Sequence, residues 1–130
     1  KKICDENNID FFAYSPLSFG ILCIDPDKEE NKEKSFIRNA LFENYKKPTY
    51  ELRRCLKRIA HQRSVSQAQV AINWCCYQGT IPLVGMRKKS QVIDVSNVFN
   101  WNLKKNEFKV LQEVSKKCLK KMPKNPFSSN

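Results

Sequence analysis

The sequence lacks the residue clusters that most metal sites and nucleophilic active sites require. His61 is the only histidine, and neither a C-x-x-C pair nor a cysteine–histidine pattern occurs, so a metal site is not indicated. We expect the cysteines to be reduced thiols, as in a reducing, cytoplasmic compartment. They are Cys4, Cys23, Cys55, Cys75, Cys76 and Cys118.

The chain also has no apolar run that resembles a signal peptide or a membrane span. Its 130 residues correspond to one domain, which is long enough to bury a core. The sequence opens at Lys1-Lys2 rather than at a methionine. We therefore expect a truncated segment of a longer protein, for which upstream organelle targeting stays an open alternative.

Positive charge is in excess, with 24 Lys and Arg residues against 13 Asp and Glu, a net charge of +11. Such an excess can indicate nucleic acid, an acidic membrane or an anionic cofactor as partner. Here the charge is dispersed, and no basic strip carries interleaved aromatic residues for stacking on bases. We favour the interpretation that the excess cations lie on solvated helix faces, and we predict no nucleic acid and no membrane partner. A polyanion binder is the minor alternative, and it predicts steeply salt-dependent binding.

Short apolar runs predict two strands. Residues 9–14 (IDFFAY) are apolar and aromatic and are stopped by Pro16, and residues 80–84 (TIPLV) suit a parallel strand. Both strands are expected to be buried. Residues 25–34 form a charged loop between them.

Apolar spacing predicts helices between and after these strands. The first starts at Thr49, a plausible N-cap, and ends near Gln62. Its buried stripe would be Leu52, Cys55, Leu56, Ile59 and Ala60, and its solvent side Arg53, Arg54, Lys57 and Arg58. Ser66 and Gln69 form a capping box that opens the second helix, which Gly79 would end. Two more helices are predicted over residues 89–98 and about 105–120, followed by an irregular tail at 123–130. The order of elements indicates one α/β segment over residues 1–130.

Three motifs occur in order along this segment: FFAYSPLSFG at residues 11–20, SQAQVAINW at 66–74 and IPLVGMRKKSQ at 81–91. In order and wording they resemble the C-terminal part of the aldo-keto reductases, NADPH-dependent enzymes with a (β/α)8 TIM barrel fold. The resemblance implies the last two strand–helix units of the barrel plus its C-terminal helix. Since a complete barrel needs roughly 250 residues, the segment would be incomplete as a barrel.

The resemblance further implies an NADP(H) site at the ends of both strands. Tyr14 matches the aromatic residue that stacks on the nicotinamide ring, and the turn after it would wrap the pyrophosphate. Arg87 matches the partner of the adenosine 2′-phosphate, with Lys88 assisting. The alternative is a core tyrosine, an ordinary proline turn and a solvated arginine. The implied cofactor-binding residues are Tyr14, Ser15, Pro16, Leu17, Gly20, Arg38, Gly85, Met86, Arg87 and Gln91.

The catalytic residues that the family implies, a Tyr assisted by Lys, Asp and His, belong to the first half of the barrel. No position of this chain matches them, and we interpret His61 as structural or solvated. The leading hypothesis is the cofactor-binding part of an NADP-dependent oxidoreductase that reduces small aldehydes or ketones to alcohols. The alternative is a non-catalytic, reductase-like protein that senses nucleotides or acts like a channel β subunit. Alone, the segment is predicted to be inactive, and to oligomerise through exposed strand edges or stay loosely packed.

Overall fold

The computed structural model describes residues 1–28 and 43–119. Arg38, most of the predicted loop at 25–34 and the tail at 123–130 lie outside these ranges. The strands are β1 (Phe12–Tyr14) and β2 (Ile81–Leu83). Two 3-10 segments span Ser18–Cys23 and Asn97–Asn100. The α-helices are α1 (Lys2–Glu6), α2 (Tyr50–Arg63), α3 (Gln67–Tyr77), α4 (Lys89–Ser96) and α5 (Lys105–Leu119).

The two strands pair in parallel, as predicted, with Ala13 opposite Pro82 and Tyr14 opposite Leu83. The N–H of Ile81 donates to the carbonyl of Phe11 at 2.9 Å. Since backbone polar groups of successive strand residues point to opposite edges, the next residue, Pro82, points away from β1. Proline has no N–H, so the outer edge of β2 offers no donor at this position.

One face of this sheet is exposed, which makes the prediction of buried strands wrong. Side chains alternate between the two faces of a strand. Ala13 and Pro82, on the face towards the helices, are half-buried. The opposite face carries no helix from the described ranges, and its apolar side chains are exposed: Phe12, Tyr14, Ile81 and Leu83.

The hydrophobic core lies between α2, α3 and α5. Apolar residues three and four apart on α2 face the other two helices, which confirms the predicted stripe. Each large aliphatic side chain buried here stabilises the fold by roughly 1.5–3 kcal/mol. The buried members of the cluster are Cys55, Leu56, Ile59, Ala60, Val70, Ala71, Leu103 and Leu111.

Arg53 was predicted to face solvent, but it is buried, with only 4% of its surface exposed. Its side chain folds back along α2, where Nη2 donates to the carbonyl of Lys46 at 2.8 Å and Nε donates to Thr49 Oγ1 at 3.2 Å. Burial lowers the pKa of the guanidinium from its usual value. A periodic pattern could not show this, because the acceptors belong to the turn before the helix.

The predicted helix ends are close to those observed. Thr49 is the N-cap of α2, and Ser66 Oγ caps α3 by accepting the N–H of Gln69. Gly79 follows α3 with a left-handed φ of 67°, the conformation expected after a helix C-terminus. The helix predicted over residues 89–98 ends as α4 at Ser96 and continues as the 3-10 segment Asn97–Asn100.

Candidate functional site

The parallel pairing of β1 and β2 brings both predicted cofactor loops to one edge of the sheet. Tyr14 and Leu83 are direct partners at the ends of the strands. The chain therefore leaves both strands at the same carboxyl edge, where ligands of open α/β sheets bind. The structure thus places all of the predicted site residues at this edge except Arg38, which lies outside the described residues.

The first loop begins with an exposed aromatic ring. Tyr14 is 80% exposed and lies on the same open sheet face as Phe12. The backbone after it is left-handed at Ser15 (φ 50°), Ser18 (47°), Phe19 (58°) and Gly20 (95°). Such conformations cost of order 1–3 kcal/mol each for residues other than glycine and concentrate at functional sites.

Hydrogen bonds close this loop on itself. The N–H of Ser18 donates to the carbonyl of Ser15, and the N–H of Gly20 donates to the carbonyl of Leu17, each at 2.9 Å. Leu17 packs against the hydrophobic core, and Pro16 lines a small apolar cavity beside it. Pro16 and Leu17 therefore anchor the loop, while Tyr14 remains open to a ligand.

The second loop presents positive charge at the start of α4. Arg87, Lys88 and Lys89 are consecutive and exposed. Gln91 folds back, and its Oε1 accepts the N–H groups of Arg87 at 2.8 Å and Lys88 at 3.0 Å. The Gln91 side-chain carbonyl is thus used to hold the loop against the helix.

Gly85 and Met86, which precede these cations, are exposed. A Cβ atom added to Gly85 would meet no atom within 4 Å. The turn at this point therefore leaves open space next to the basic residues, rather than a packed corner.

Side chains at the start of α3 contact the end of the first loop and the helix that follows the second loop, and the sequence did not identify this role. Gln67 Nε2 donates to the carbonyls of Leu22 at 3.0 Å and Ile24 at 3.4 Å, at the end of the first loop. On the other side, Ser66 Oγ and Gln69 Nε2 donate to the carboxylate of Asp94 in α4. The predicted capping box is only half formed, because Ser66 accepts the N–H of Gln69 while the Gln69 side chain binds Asp94 and Trp101. Nothing local to this turn indicates partners 25 to 45 residues away.

Other chemistries find little support in the described structure. Across residues 1–28 and 43–119 no three His, Cys, Asp or Glu side chains gather as metal ligands. Over the same ranges, none of the helices combines the length and hydropathy of a bilayer span. His61 is exposed at the end of α2, in keeping with its interpretation as a solvated residue.

Comparisons with known proteins agree with this architecture. The model of the Aldo/keto reductase family matches residues 1–116. The chloroplastic pyridoxal reductase of Arabidopsis thaliana is 33% identical over 129 residues, which are 99% of this chain and 35% of that protein. Protein REDOX 2 of Catharanthus roseus is 28% identical over 112 residues, 85% of this chain and 28% of that protein.

A solved structure gives the same result for the fold. The glycerol dehydrogenase AKR11B4 from Gluconobacter oxydans aligns with a TM-score of 0.66 and 27% identity, over 98% of this chain and 40% of that one. The chain thus spans about a third of the length of the curated relatives that it matches, and its barrel is incomplete.

Proposed function

The chain belongs to the aldo/keto reductase family, and on that premise we propose that it is the cofactor-binding part of an NADPH-dependent oxidoreductase. The complete protein would reduce a small aldehyde or ketone to an alcohol. The observation that supports this most is the pairing of Tyr14 with Leu83, because it puts an exposed aromatic ring and a basic loop at one sheet edge.

The residues at this edge fit the two ends of the cofactor. Tyr14 offers an exposed, flat ring on which a nicotinamide could stack. Arg87 and Lys88 offer cationic donors beside the N-terminus of α4, where the helix dipole also favours an anion. When bound, the cofactor supplies the hydride, and this chain's residues bind and orient it.

Charge supports NADPH over NADH. The second loop, residues 84–91 (VGMRKKSQ), contains three cations and no acidic residue. A 2′-phosphate would gain ion pairs as well as hydrogen bonds there, whereas the neutral ribose hydroxyl of NADH would gain no ion pair. NADH-specific sites more often carry an acidic residue for that hydroxyl.

The proton for the alcohol product would come from the rest of the complete protein. The catalytic residues that the family resemblance implies have no counterpart among residues 1–130, so we propose that the isolated segment is inactive. Its exposed sheet face, with Phe12 and Ile81 among its apolar residues, would favour self-association when nothing covers it.

The substrate proposal stays at the level of chemical class. By their names, one relative is a pyridoxal reductase and one structural relative is a glycerol dehydrogenase. Both names describe the interconversion of a carbonyl group and an alcohol, and we propose the same reaction class here.

Cofactor titration of the complete protein tests the proposal. NADPH should bind at least tenfold more tightly than NADH, and NADPH oxidation should depend on an added aldehyde or ketone. Failure to bind NADPH would overturn the proposal. Binding of NADPH without carbonyl-dependent oxidation, across a panel of aldehydes and ketones, would replace it with the nucleotide-sensing alternative.

A further inference from the structure

We propose that the first turn of α3 is a positioning element that sets the spacing between the two cofactor loops. We call this turn, residues 66–69 (SQAQ), the bracket. The inference rests on the proposed function, since it assigns the bracket a role in binding the dinucleotide. The inference is supported by two sets of hydrogen bonds, one from the turn to the segment after β1 and one from the turn to α4.

The first arm of the bracket is Gln67, which holds the loop after β1. Its Nε2 donates to the carbonyls of Leu22 and Ile24 at 3.0 and 3.4 Å. The Ile24 side chain is buried, so this end of the loop is held both by hydrogen bonds to its backbone and by apolar packing of its side chain. Loss of this donor would leave two partly buried carbonyls without their side-chain partner, at a cost in free energy.

The second arm is a carboxylate clamp on α4. Asp94 Oδ2 accepts the hydroxyl of Ser66 at 2.6 Å, and its Oδ1 accepts Nε2 of Gln69 at 2.7 Å. Both bonds are charge-assisted, which makes them stronger than neutral ones. The carboxylate also faces the N-terminus of α3, where the helix dipole favours a negative charge.

The orientation of the Gln69 amide is determined by a third group. Its Oε1 accepts the indole N–H of Trp101 at 3.1 Å, so its Nε2 is the atom left to face Asp94. Gln69 is 5% exposed, and water therefore competes little for these bonds. Trp101 is held in turn, because its carbonyl accepts Nδ2 of Asn73 at 2.8 Å.

Apolar packing fixes α4 mainly through the segment that follows it, where Val98 is 1% exposed, and through the half-buried Val95. None of the residues of α4 is buried, and Val92 and Ile93 are 50% and 56% exposed. Asp94 lies one helical turn after Gln91, whose side chain holds the backbone of Arg87 and Lys88. Asp94 thus adds a polar contact with α3 to the helix that carries the basic loop, beside the apolar contact at Val98.

This arrangement distinguishes a whole dinucleotide from half of one. NADPH must reach both loops at once, so its affinity depends on their spacing, and loops held at the required distance lower the cost of binding. Adenosine 2′,5′-bisphosphate carries only the adenosine half, and it would use the second loop alone. The internal structure of that loop is held by Gln91 and does not involve the bracket.

The test compares these two ligands on variants of the complete protein. Gln67→Met removes the donor of the first arm at nearly constant volume, and Asp94→Asn weakens the second arm. Loss of one or two hydrogen bonds is expected to weaken NADPH roughly tenfold while the bisphosphate changes by less than about twofold. Gln62→Met is the matched control. Gln62 is exposed on α2, and its variant should bind both ligands like the wild type.

Each other result overturns the inference. Equal losses for both ligands would mean local damage to the second loop, and unchanged NADPH affinity would mean that the bracket does not set the spacing. Thermal unfolding identifies a variant that fails to fold, and Ser66→Ala then serves as the milder variant of the second arm, with Ser66→Thr expected to restore NADPH binding. A wild type that binds neither ligand rejects the proposed function itself, before any variant is compared.

Discussion

Arg63 at the end of α2 and Glu107 at the start of α5 form a two-bond ion pair. Nε of Arg63 donates to Oε1 at 2.9 Å, and Nη2 donates to Oε2 at 2.7 Å. Glu107 Oε2 also accepts the N–H of Lys104 at 2.7 Å, and the guanidinium lies over the ring of Trp101. The two side chains are 25% and 13% exposed, so this pair is better shielded than most surface ion pairs.

The Arg63–Glu107 pair predicts a pH-dependent stability. Burial by itself raises the pKa of Glu107, but the hydrogen bonds from Arg63 and Lys104 outweigh it, so the net pKa is lowered. A carboxyl group whose pKa is lower in the folded state stabilises above its unfolded pKa, and this is lost as pH falls through the folded value. Glu107→Gln should reduce the free energy of unfolding by about 1–2 kcal/mol at neutral pH.

Denaturant unfolding at several pH values checks this prediction. The difference in the free energy of unfolding between wild type and Glu107→Gln should shrink below about pH 4. Glu113→Gln, an exposed position on the same helix, should change little at any pH. A gap that stays constant as the pH falls would argue against a role for the Glu107 charge.

Arg87 should determine cofactor preference. Arg87→Ala removes a guanidinium next to the proposed 2′-phosphate position, and a charge-assisted bond of this kind contributes about 1.5–3 kcal/mol. NADPH affinity should therefore fall at least tenfold, while NADH affinity changes by less than about threefold, as measured by titration of the complete protein. Lys109→Ala on α5 tests for a general effect of net charge. Equal losses for the two cofactors would remove the phosphate assignment.

Leu111 should be among the costliest core residues to truncate. It is 2% exposed within the core cluster, and Leu→Ala changes at such sites cost about 2–5 kcal/mol because a cavity remains. Val110→Ala, at the neighbouring and 37% exposed position, should cost less than about 1 kcal/mol. Urea unfolding of both variants provides the comparison, and similar losses would contradict the core described above.

Two glycines should respond differently to substitution. Gly79 has a φ of 67° after α3, so Gly79→Ala should cost about 1 kcal/mol through backbone strain. Gly85 has open space around it and no left-handed backbone, so Gly85→Ala should lie within about 0.5 kcal/mol of wild type. Thermal unfolding measures the stability of both variants. A larger loss of stability for Gly85→Ala than for Gly79→Ala would show a constraint at Gly85 that its backbone conformation does not explain.

Features that depend on local pattern could be predicted from the sequence. The apolar periodicity of α2 and α5 identified their buried faces, and the residues Ser66 and Gly79 marked helix ends because capping chemistry is local. The parallel pairing followed from the order of motifs rather than from any single residue.

Features that depend on distant partners could not be predicted. Arg53 is buried because acceptors at Lys46 and Thr49 lie within its reach. The apolar periodicity of the helix places Arg53 on the polar side and carries no information about these acceptors. Phe12 and Ile81 have the composition of buried strand residues, but their exposure depends on whether another element covers that face. Asp94 is one of many charged positions in the sequence, and only the fold shows that it meets the start of α3.

Pro82 limits how copies of this segment could associate through the sheet. The outer edge of β1 keeps its backbone donors, so a second copy could add a strand there. The outer edge of β2 lacks the N–H at Pro82, so pairing there would have one hydrogen bond fewer. Self-association by strand addition would therefore be favoured at β1 over β2, which disfavours growth into a fibre.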